Sequence, residues 1–206
     1  MASLTRLETI AILETMRDRR PDPWLVAIAG IPGAGNSTIA ADVASCVAGA
    51  VVISMDGYHL RRAVLSADQL KRRGAPDTFD RDAFRAALAR LREAGRGSFP
   101  TFDHAVKDPV EDGVIVPDGT PLVIVEGLYL LLSDWRMTGL FDFTVFLDCE
   151  LEVAMDRIAA RHLACGLAAT EDEARRRADT NDRRNALTIL EDGCRARADI
   201  CVPTGG

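Results

Sequence analysis

The segment at residues 30–38 has the residue types and spacing needed to bind phosphate groups. Its sequence is Gly-Ile-Pro-Gly-Ala-Gly-Asn-Ser-Thr. It matches the phosphate-loop pattern of glycine, four residues, glycine, lysine and serine or threonine, except that Asn36 stands in place of the lysine. Three glycines let successive backbone N–H groups point into one concavity, and a helix beginning after them adds a partial positive charge. The segment therefore predicts a binding site for a nucleoside triphosphate.

Most residues of this loop have an expected contact with the nucleotide. We expect the hydroxyl of Ser37 to hold Mg²⁺ and that of Thr38 to reach a phosphate oxygen. The alternative is the strand-to-helix turn of dinucleotide-binding proteins, but that turn requires a G-x-G-x-x-G pattern, which the loop lacks. The predicted nucleotide-binding residues are Gly30, Gly33, Ala34, Gly35, Asn36, Ser37 and Thr38.

Asn36 is the departure from the loop pattern. The usual lysine is a mobile cation that lies along the β- and γ-phosphates, whereas asparagine has a short, neutral side chain. Losing one preorganised donor to developing charge costs roughly 3–4 kcal/mol, or about 10²–10³-fold in rate. Asn36 is therefore predicted to be a catalytic position at which transfer is weakened. Nucleotide binding is expected to persist, because the backbone amides and Mg²⁺ remain.

Two carboxylates at predicted strand ends are candidates for catalysis and metal binding. Asp56 lies just beyond a strand, where it is placed to accept a proton from an attacking hydroxyl group. The alternative is a turn cap, since Asp-Gly is a common turn pair. Glu126 ends an apolar strand and is expected to orient Mg²⁺ or its water ligands; the alternative is a cap for the following turn.

Arginines in the last third of the chain suggest a lid over the triphosphate. Arg157 and Arg161 are four residues apart, so they share one face of a predicted helix. We predict that both are catalytic residues of a small helical lid at about residues 157–180. Exposed ion pairing is the alternative for these two, and for the arginines at 175–177 we expect mainly surface pairs with the acids at 171–173.

Two polar and aromatic loops, at 74–80 and 99–104, have the composition of a pocket for a small polyol. His104 is the expected hydrogen-bonding residue of this pocket. A metal site formed by histidines is not expected, because no two of the three histidines are spaced as ligands. The predicted acceptor-binding residues are Asp56, Tyr58, His59, Phe79, His104 and Glu126.

Alternating strands and helices are predicted to position these groups. Ligands of parallel α/β sheets bind at the carboxyl ends of the strands, so the loop after the first strand, Asp56 and Glu126 should converge on one cleft. A long extended loop is predicted at 99–108 and a short strand at 114–116. The main strands are predicted at 24–29, 50–54, 121–126, 143–148 and 198–202, and helices at 37–47, 66–74, 80–94, 150–162 and 170–190.

The composition is that of an α/β enzyme of one domain spanning residues 1–206. A net charge of −6 argues against non-specific nucleic-acid binding. No apolar run approaches the roughly 20 residues of a membrane span, and residues 3–19 have the pattern of an amphipathic helix rather than a signal peptide. The five cysteines form no metal-spaced pair, which favours reduced thiols and a cytoplasmic location.

Taken together, these motifs resemble the phosphate-loop kinase family that includes uridine kinase, phosphoribulokinase and bacterial pantothenate kinase. Within that family they are most similar to bacterial proteins described as candidate fructose transport system kinases. The resemblance extends from about Pro23 to Pro203 and rests on the order and spacing of its segments. The matching segments are 30–38, 54–59, 74–80, 102–104, 125–127 and 157–162.

The resemblance implies a three-layer P-loop NTPase-type α/β domain with a mainly parallel five-stranded sheet and a small helical lid. It also implies ATP with Mg²⁺ as the donor, a small-molecule alcohol as the acceptor, Asp56 as the base and His104 as an acceptor contact. Asn181, Asp182 and Asn185 match a polar stretch of the subgroup without an assigned role. A homodimer is compatible with the resemblance, and membrane or nucleic-acid partners are not expected.

The leading hypothesis is an ATP-dependent kinase that phosphorylates a hydroxyl group of a small molecule, with a sugar such as fructose as the expected acceptor. A nucleoside or a pantothenate-like molecule is an alternative acceptor. A different class of function is a nucleotide-binding protein with little or no transfer, which Asn36 favours. A nucleotide-hydrolysing switch is a third possibility, but attacking water would not need the polyol pocket predicted above.

Overall fold

Five parallel strands form the central sheet of the protein, and its three inner strands are almost entirely buried. The structure, a computed structural model, describes residues 23–103 and 105–204. The central sheet has the order β2-β5-β1-β6-β7, and β3 and β4 pair separately as an antiparallel hairpin. The strands are β1 (Trp24–Gly30), β2 (Val51–Ser54), β3 (Gly97–Asp103), β4 (Asp108–Val116), β5 (Leu122–Glu126), β6 (Phe143–Asp148) and β7 (Ile200–Pro203).

The register of the sheet brings the ends of three strands to the same level. Glu126, the last residue of β5, pairs with Ile28 of β1 on one side and with Ser54 of β2 on the other. Because all three strands run in parallel, the residues that follow them emerge at one edge of the sheet. The phosphate loop and the turn that carries Asp56 both begin at this edge.

Helices cover the sheet to complete the three-layer α/β architecture. They are α1 (Asn36–Cys46), α2 (Ala67–Lys71), α3 (Arg81–Ala94), α4 (Leu151–Ala164), α5 (Glu171–Arg177) and α6 (Arg183–Glu191). A π-helical turn, Ala178–Asp182, connects α5 to α6. Short 3₁₀ turns lie at Met55–Tyr58, Arg62–Val64, Pro76–Thr78, Ser133–Trp135, Thr138–Leu140 and Cys194–Arg197.

Helix α3 shows how local sequence sets these bounds. The side chain of Asp80 accepts a hydrogen bond from the backbone N–H of Ala83 at its start, and Gly95 adopts a left-handed conformation (φ 69°) at its end. Its apolar residues recur at helical spacing and are buried, with Phe84 and Leu88 fully inaccessible. A capped, amphipathic segment of this kind is predictable from sequence.

Four predicted elements differ from the structure. The short strand predicted at 114–116 is the end of the longer β4. The extended loop predicted at 99–108 is instead most of strand β3 and the turn into β4. There Asp103 Oδ1 accepts hydrogen bonds from the N–H groups of Ala105 and Val106, which closes the hairpin. The helix predicted at 170–190 is divided by the π-helical turn, and the helix predicted at 66–74 is limited to α2. The amphipathic helix predicted at 3–19 lies outside the described residues.

None of the helices within residues 23–103 and 105–204 has the length and apolar character needed to cross a membrane.

Candidate active site

The phosphate loop connects β1 to α1 in a backbone conformation that glycine favours. Gly33 and Gly35 have positive φ angles of 83° and 101°, and Gly35 lies immediately before the first turn of α1. A Cβ atom on Gly35 would meet no atom within 4 Å, so this face of the loop is open. The loop therefore has the backbone shape and the helix N-terminus that a bound phosphate group requires.

Asn36 is buried beneath this loop, with 8% of its surface exposed. Its Nδ2 donates a hydrogen bond to the carbonyl oxygen of Gly30 at 3.3 Å. Its Oδ1 is also buried and has no hydrogen-bond partner among the residues that the structure describes. The amide is thus held against the first residue of the loop.

Ser37 and Glu126 form the oxygen pair expected of a Mg²⁺ site. Ser37 Oγ donates a hydrogen bond to Glu126 Oε2 at 3.1 Å, and Glu126 is 7% exposed. Burial raises the pKa of the Glu126 carboxyl above its usual range, and the nearby Asp56 carboxylate contributes in the same direction. A buried carboxylate beside a hydroxyl group fits the preference of Mg²⁺ for hard oxygen ligands, and a bound cation would offset the cost of burying the charge.

Asp56 lies in the short 3₁₀ turn after β2, and its side chain is 48% exposed. Ser54 begins this turn by accepting a hydrogen bond from the backbone N–H of Asp56. Gly57 allows the turn to contact the β3 strand, because a Cβ at this position would lie 2.0 Å from the carbonyl oxygen of Pro100. The turn is therefore packed tightly on one side while the Asp56 carboxylate stays accessible on the other.

A cleft of about 900 Å³ brings these groups together. It is lined by the phosphate loop, by Asp56 and Glu126, and by Arg157 and Arg161 of α4. Asp182, from the π-helical turn, also lines the cleft. The structure thus places the phosphate loop, the two carboxylates and the two arginines around a single space.

The two arginines of α4 differ in their contacts. Arg157 donates hydrogen bonds to the carbonyl oxygen of Thr204 and to Cys149 Sγ, so its guanidinium is held near the end of β7. Arg161 is exposed on the same face of the helix and interacts electrostatically with Asp182. Burial raises the pKa of Asp182, against the opposing effects of His162 and Arg161.

Arg175 forms an ion pair with Asp156 of α4 at 3.2 Å. Its partner is thus on the neighbouring helix rather than among the acids at 171–173 that the sequence suggested. The pair is largely exposed and lies outside the set of residues that line the cleft.

The aromatic residues predicted to contact an acceptor pack against one another. Tyr58 stacks on Phe84 with ring centroids 4.4 Å apart, and the ring of His59 lies 3.9 Å from Phe79 and 4.8 Å from Phe102. Neither Tyr58, His59 nor Phe79 is among the described residues that line the cleft. His104, the other predicted acceptor contact, lies outside the described residues.

Three side chains to which the sequence assigned no role hold the segment at 71–80. The hydroxyl of Tyr129 and the amide of Asn185 both donate to the carbonyl oxygen of Gly74, at 2.6 and 3.2 Å. Asn181 donates to the carbonyl oxygen of Lys71 at 2.8 Å. The polar stretch at 181–185 was visible in the sequence, whereas nothing in the sequence indicated that Tyr129 is buried and turned toward Gly74.

Comparison with known proteins identifies the family of the chain. Residues 25–165 match the family model described as the phosphoribulokinase / uridine kinase family. The chain belongs to this family of P-loop kinases. A candidate uridine kinase of Schizosaccharomyces pombe is 38% identical over 188 residues, which cover 81% of this chain and 77% of that protein. An ATP-dependent kinase-like protein of Aspergillus versicolor is 39% identical over 150 residues, 66% of this chain and 87% of that protein.

A solved structure has the same fold over nearly the full length of the present chain. The crystal structure of a candidate fructose transport system kinase from Silicibacter sp. TM1040 has 31% sequence identity and a TM-score of 0.84. The match covers 97% of this chain and 99% of that chain. The three-layer α/β fold and the P-loop kinase family predicted from the sequence are thereby confirmed.

Proposed function

We propose that this protein is an ATP-dependent kinase that transfers the γ-phosphate to a hydroxyl group of a sugar or a related polyol. The observation that carries the proposal is the single cleft in which the phosphate loop, the Ser37–Glu126 pair and Asp56 meet. Phosphate transfer depends mainly on positioning and on stabilising charge, and these groups supply both. Residues 1–206 are proposed to form one domain, with a lid at about residues 157–180.

The proposed cofactors are ATP and Mg²⁺. The backbone amides of the phosphate loop would hold the β- and γ-phosphates, and Ser37 and Glu126 would hold the metal ion. Bound Mg²⁺ supplies positive charge that offsets the charge of the phosphate oxygens. The hydrogen bond between Ser37 and Glu126 keeps the two ligands close together before the cation binds.

Asp56 is proposed to act as the base. As the acceptor hydroxyl oxygen forms its bond to the γ-phosphorus, its proton passes to the Asp56 carboxylate, and the bond between the γ-phosphorus and the bridging oxygen breaks to release ADP. The half-exposed carboxylate is accessible to a hydroxyl group of an acceptor in the cleft. Arg161, and to a smaller extent Arg157, would stabilise the charge on the transferring group.

The proposed acceptor is a sugar such as fructose, with His104 as one of its contacts. Support comes from the fold match to the candidate fructose transport system kinase and from the polar and aromatic residue types at 74–80 and 99–104. The relative from Schizosaccharomyces pombe is described as a candidate uridine kinase, so a nucleoside is the second acceptor class to test.

A nucleotide-binding protein with weak transfer is the second candidate function. The observation that favours it is the side chain of Asn36, which is neutral and is hydrogen-bonded to Gly30 rather than extended along the loop. In this case the nucleotide would bind through the backbone amides, and transfer would be slow.

The experiment that tests both candidates is Mg²⁺- and ATP-dependent transfer to fructose, other ketoses and aldoses, uridine and pantothenate, measured for the native protein and for Asn36→Lys. We expect the variant to be about 10²–10³-fold faster on one acceptor, because lysine restores a cation beside the phosphates. Equal rates for the two proteins would remove Asn36 as the cause of weak transfer. Nucleotide binding without transfer by either protein would favour the second candidate function.

A further inference from the structure

Asp182 is a carboxylate on an otherwise apolar stripe of the C-terminal helices. Ala174, Ala178 and Ala186 follow a four-residue spacing along α5, the π-helical turn and α6, and all are at most 1% exposed. Asp182 occupies the same spacing between the last two of them, and its side chain is 24% exposed. Because burying a carboxylate is costly unless a partner satisfies it, the packing of the helices does not by itself account for this residue.

The backbone at Asp182 departs from the α-helix. The π-helical turn, Ala178–Asp182, ends at this residue, and α6 begins directly after it. Single π-helical turns within helical segments are rare and occur frequently at functional sites. Among the described residues, Asp182 is the only one of α5, the π-helical turn and α6 that lines the cleft. The irregular turn therefore ends at the residue that these helices contribute to the site.

Basic groups near Asp182 offset its charge only in part. Nε2 of His162 lies 3.8 Å from Oδ2 of Asp182, which is longer than a hydrogen bond. Arg161 and Arg177 interact with the carboxylate electrostatically. Burial nevertheless raises the pKa of Asp182 above its usual range, so these groups do not replace the solvation that the carboxylate has lost. Hydrogen-bond donors on a ligand would supply that stabilisation.

The surroundings of Tyr129 indicate that Asp182 lies on the acceptor side of the cleft. Burial raises the pKa of the Tyr129 hydroxyl, and the carboxylates of Asp182 and Asp56 contribute in the same direction, so both lie within electrostatic range of it. The same hydroxyl donates a hydrogen bond to the carbonyl oxygen of Gly74, in the segment at 71–80. Asp182 is thus near both the proposed base and the segment expected to serve the acceptor.

We propose that Asp182 binds the acceptor by accepting hydrogen bonds from hydroxyl groups other than the one that is phosphorylated. The inference rests on the proposed function, because Asp56 and the γ-phosphate define where the acceptor lies. A carboxylate accepts hydrogen bonds through two oxygens, so it suits two neighbouring hydroxyl groups, and it repels a second carboxylate. The acceptor class is therefore an uncharged polyol, and acids such as pantothenate are disfavoured.

The test is the affinity for fructose, uridine and pantothenate of the protein loaded with Mg²⁺ and a non-hydrolysable ATP analogue, measured by ligand-observed NMR. No turnover is required, so weak transfer caused by Asn36 does not interfere. The native protein is expected to bind fructose or uridine more tightly than pantothenate. Asp182→Asn is expected to bind the preferred uncharged acceptor about tenfold more weakly, because the charge that strengthens its hydrogen bonds is lost. Its affinity for pantothenate should not fall.

Asp179→Asn is the matched control. Asp179 belongs to the same π-helical turn, pairs with Arg183 and is not among the described residues that line the cleft, so this variant should bind every ligand as the native protein does. The affinity for the ATP analogue separates acceptor binding from a purely structural role. Asp182→Asn is expected to keep that affinity, whereas a residue that only orients Arg161 or the helices would alter it.

The inference is overturned if Asp182→Asn binds the uncharged acceptor as tightly as the native protein, or if it loses affinity for the ATP analogue to the same extent. Preference of the native protein for pantothenate would also overturn it, as would binding of the analogue without binding of fructose or uridine. In these last two cases the nucleotide half of the proposed function would stand. No binding of the analogue by the native protein would overturn the proposed function and this inference together.

Discussion

The phosphate loop at 30–38 and the loop at 71–80 are held in place by different kinds of contact. The backbone hydrogen bonds of the phosphate loop are short-range, as from Ala34 N–H to the Ile31 carbonyl and from Ile39 N–H to the Gly35 carbonyl, both at 3.0 Å. A long-range side-chain hydrogen bond, from Ser37 to Glu126, is added to them. The segment at 71–80 has short-range bonds too, but three of its backbone carbonyl contacts come from Tyr129, Asn181 and Asn185, which lie 55 to 111 residues away in the chain.

The two loops belong to different halves of the proposed reaction, the phosphate loop to the nucleotide and the segment at 71–80 to the acceptor. A loop whose shape follows from its own glycines and a helix N-terminus is determined by local sequence. A loop held by distant side chains depends on the complete tertiary structure and on the order of the C-terminal helices. Substitutions in the first region should therefore alter nucleotide binding and transfer, whereas those in the second should act mainly on the acceptor.

The largest expected effect is that of Asp56→Asn, a residue outside both loops at which the acceptor is proposed to meet the nucleotide. We expect transfer to fall by about 10²–10⁴-fold, because the acceptor hydroxyl loses its base. Nucleotide affinity should change little. Asp118→Asn, an exposed carboxylate just before β5 that is not among the lining residues of the cleft, is the matched control and should keep full activity. Substantial transfer by Asp56→Asn would contradict the assignment of the base.

A smaller loss is expected for Arg161→Ala, which tests the charge that the lid brings to the nucleotide side. We expect transfer to fall by about 10²-fold and by less for Arg157→Ala, because Arg157 is hydrogen-bonded to Thr204. Arg175→Ala is the control, since its partner Asp156 lies outside the residues that line the cleft. Equal losses in all three variants, measured as kcat at saturating ATP, would contradict the proposed lid role.

A modest effect confined to the acceptor is expected for Tyr129→Phe. The variant removes one hydrogen bond to Gly74 while Asn185 still donates. Losing one such bond costs about 1 kcal/mol, so we expect KM for the acceptor to rise about fivefold at unchanged nucleotide affinity. Ser133→Ala, which loses a hydrogen bond to Asp192, is the control. A change in nucleotide affinity in Tyr129→Phe would contradict the assignment of the segment at 71–80 to the acceptor.

The smallest expected effect is on the pH dependence of folding stability, to which the buried Glu126 carboxyl at the nucleotide site contributes. Its pKa is raised in the folded protein, so the native protein and Glu126→Gln should be equally stable below the usual glutamate pKa of about 4.3. As pH rises through the raised pKa, the native protein should become less stable than the variant. Melting temperatures of the nucleotide-free proteins from about pH 4 to 8 measure this.

Glu152→Gln is the control of opposite sign. A hydrogen bond from Arg183 lowers the pKa of Glu152, so its ionised form favours the folded state. That contribution is present above the usual glutamate pKa and is lost as pH falls through the lowered value. A parallel pH profile for the two variants would contradict the assigned environment of Glu126.

The parts of the fold that follow local rules were predictable from the sequence. The apolar run before Gly30 and the glycine pattern after it specified β1, the phosphate loop and α1. The strand that ends at Glu126 was predicted with its last residue correct. Of the hairpin, only the end of β4 was predicted, as the short strand at 114–116. Strand β3 was missed, because Pro100 and the polar residues around it weaken the alternation that marks a strand.

Side-chain direction explains the remaining differences. Tyr58, His59 and Phe79 have the types expected of an acceptor pocket. The structure packs their rings against Phe84, Phe102 and one another, and Phe79 also lines a second cavity of about 660 Å³ beside Pro76 and Asp77. Whether an aromatic side chain lines a cleft or fills a core depends on which neighbours it meets, and sequence spacing does not determine this.

The sequence by itself determined the nucleotide half of the protein, because a phosphate loop is specified by backbone conformations that glycine permits and by a helix that begins directly after it. It also marked Asn36 as the departure from the pattern. It also predicted that Glu126 would approach this loop, and the structure places Glu126 within a hydrogen bond of Ser37, 89 residues away. Only the tertiary structure decided that Arg157 and Arg161 have different partners and that Tyr129 supports Gly74. Such contacts arise from strand order and helix packing, which bring distant residues together.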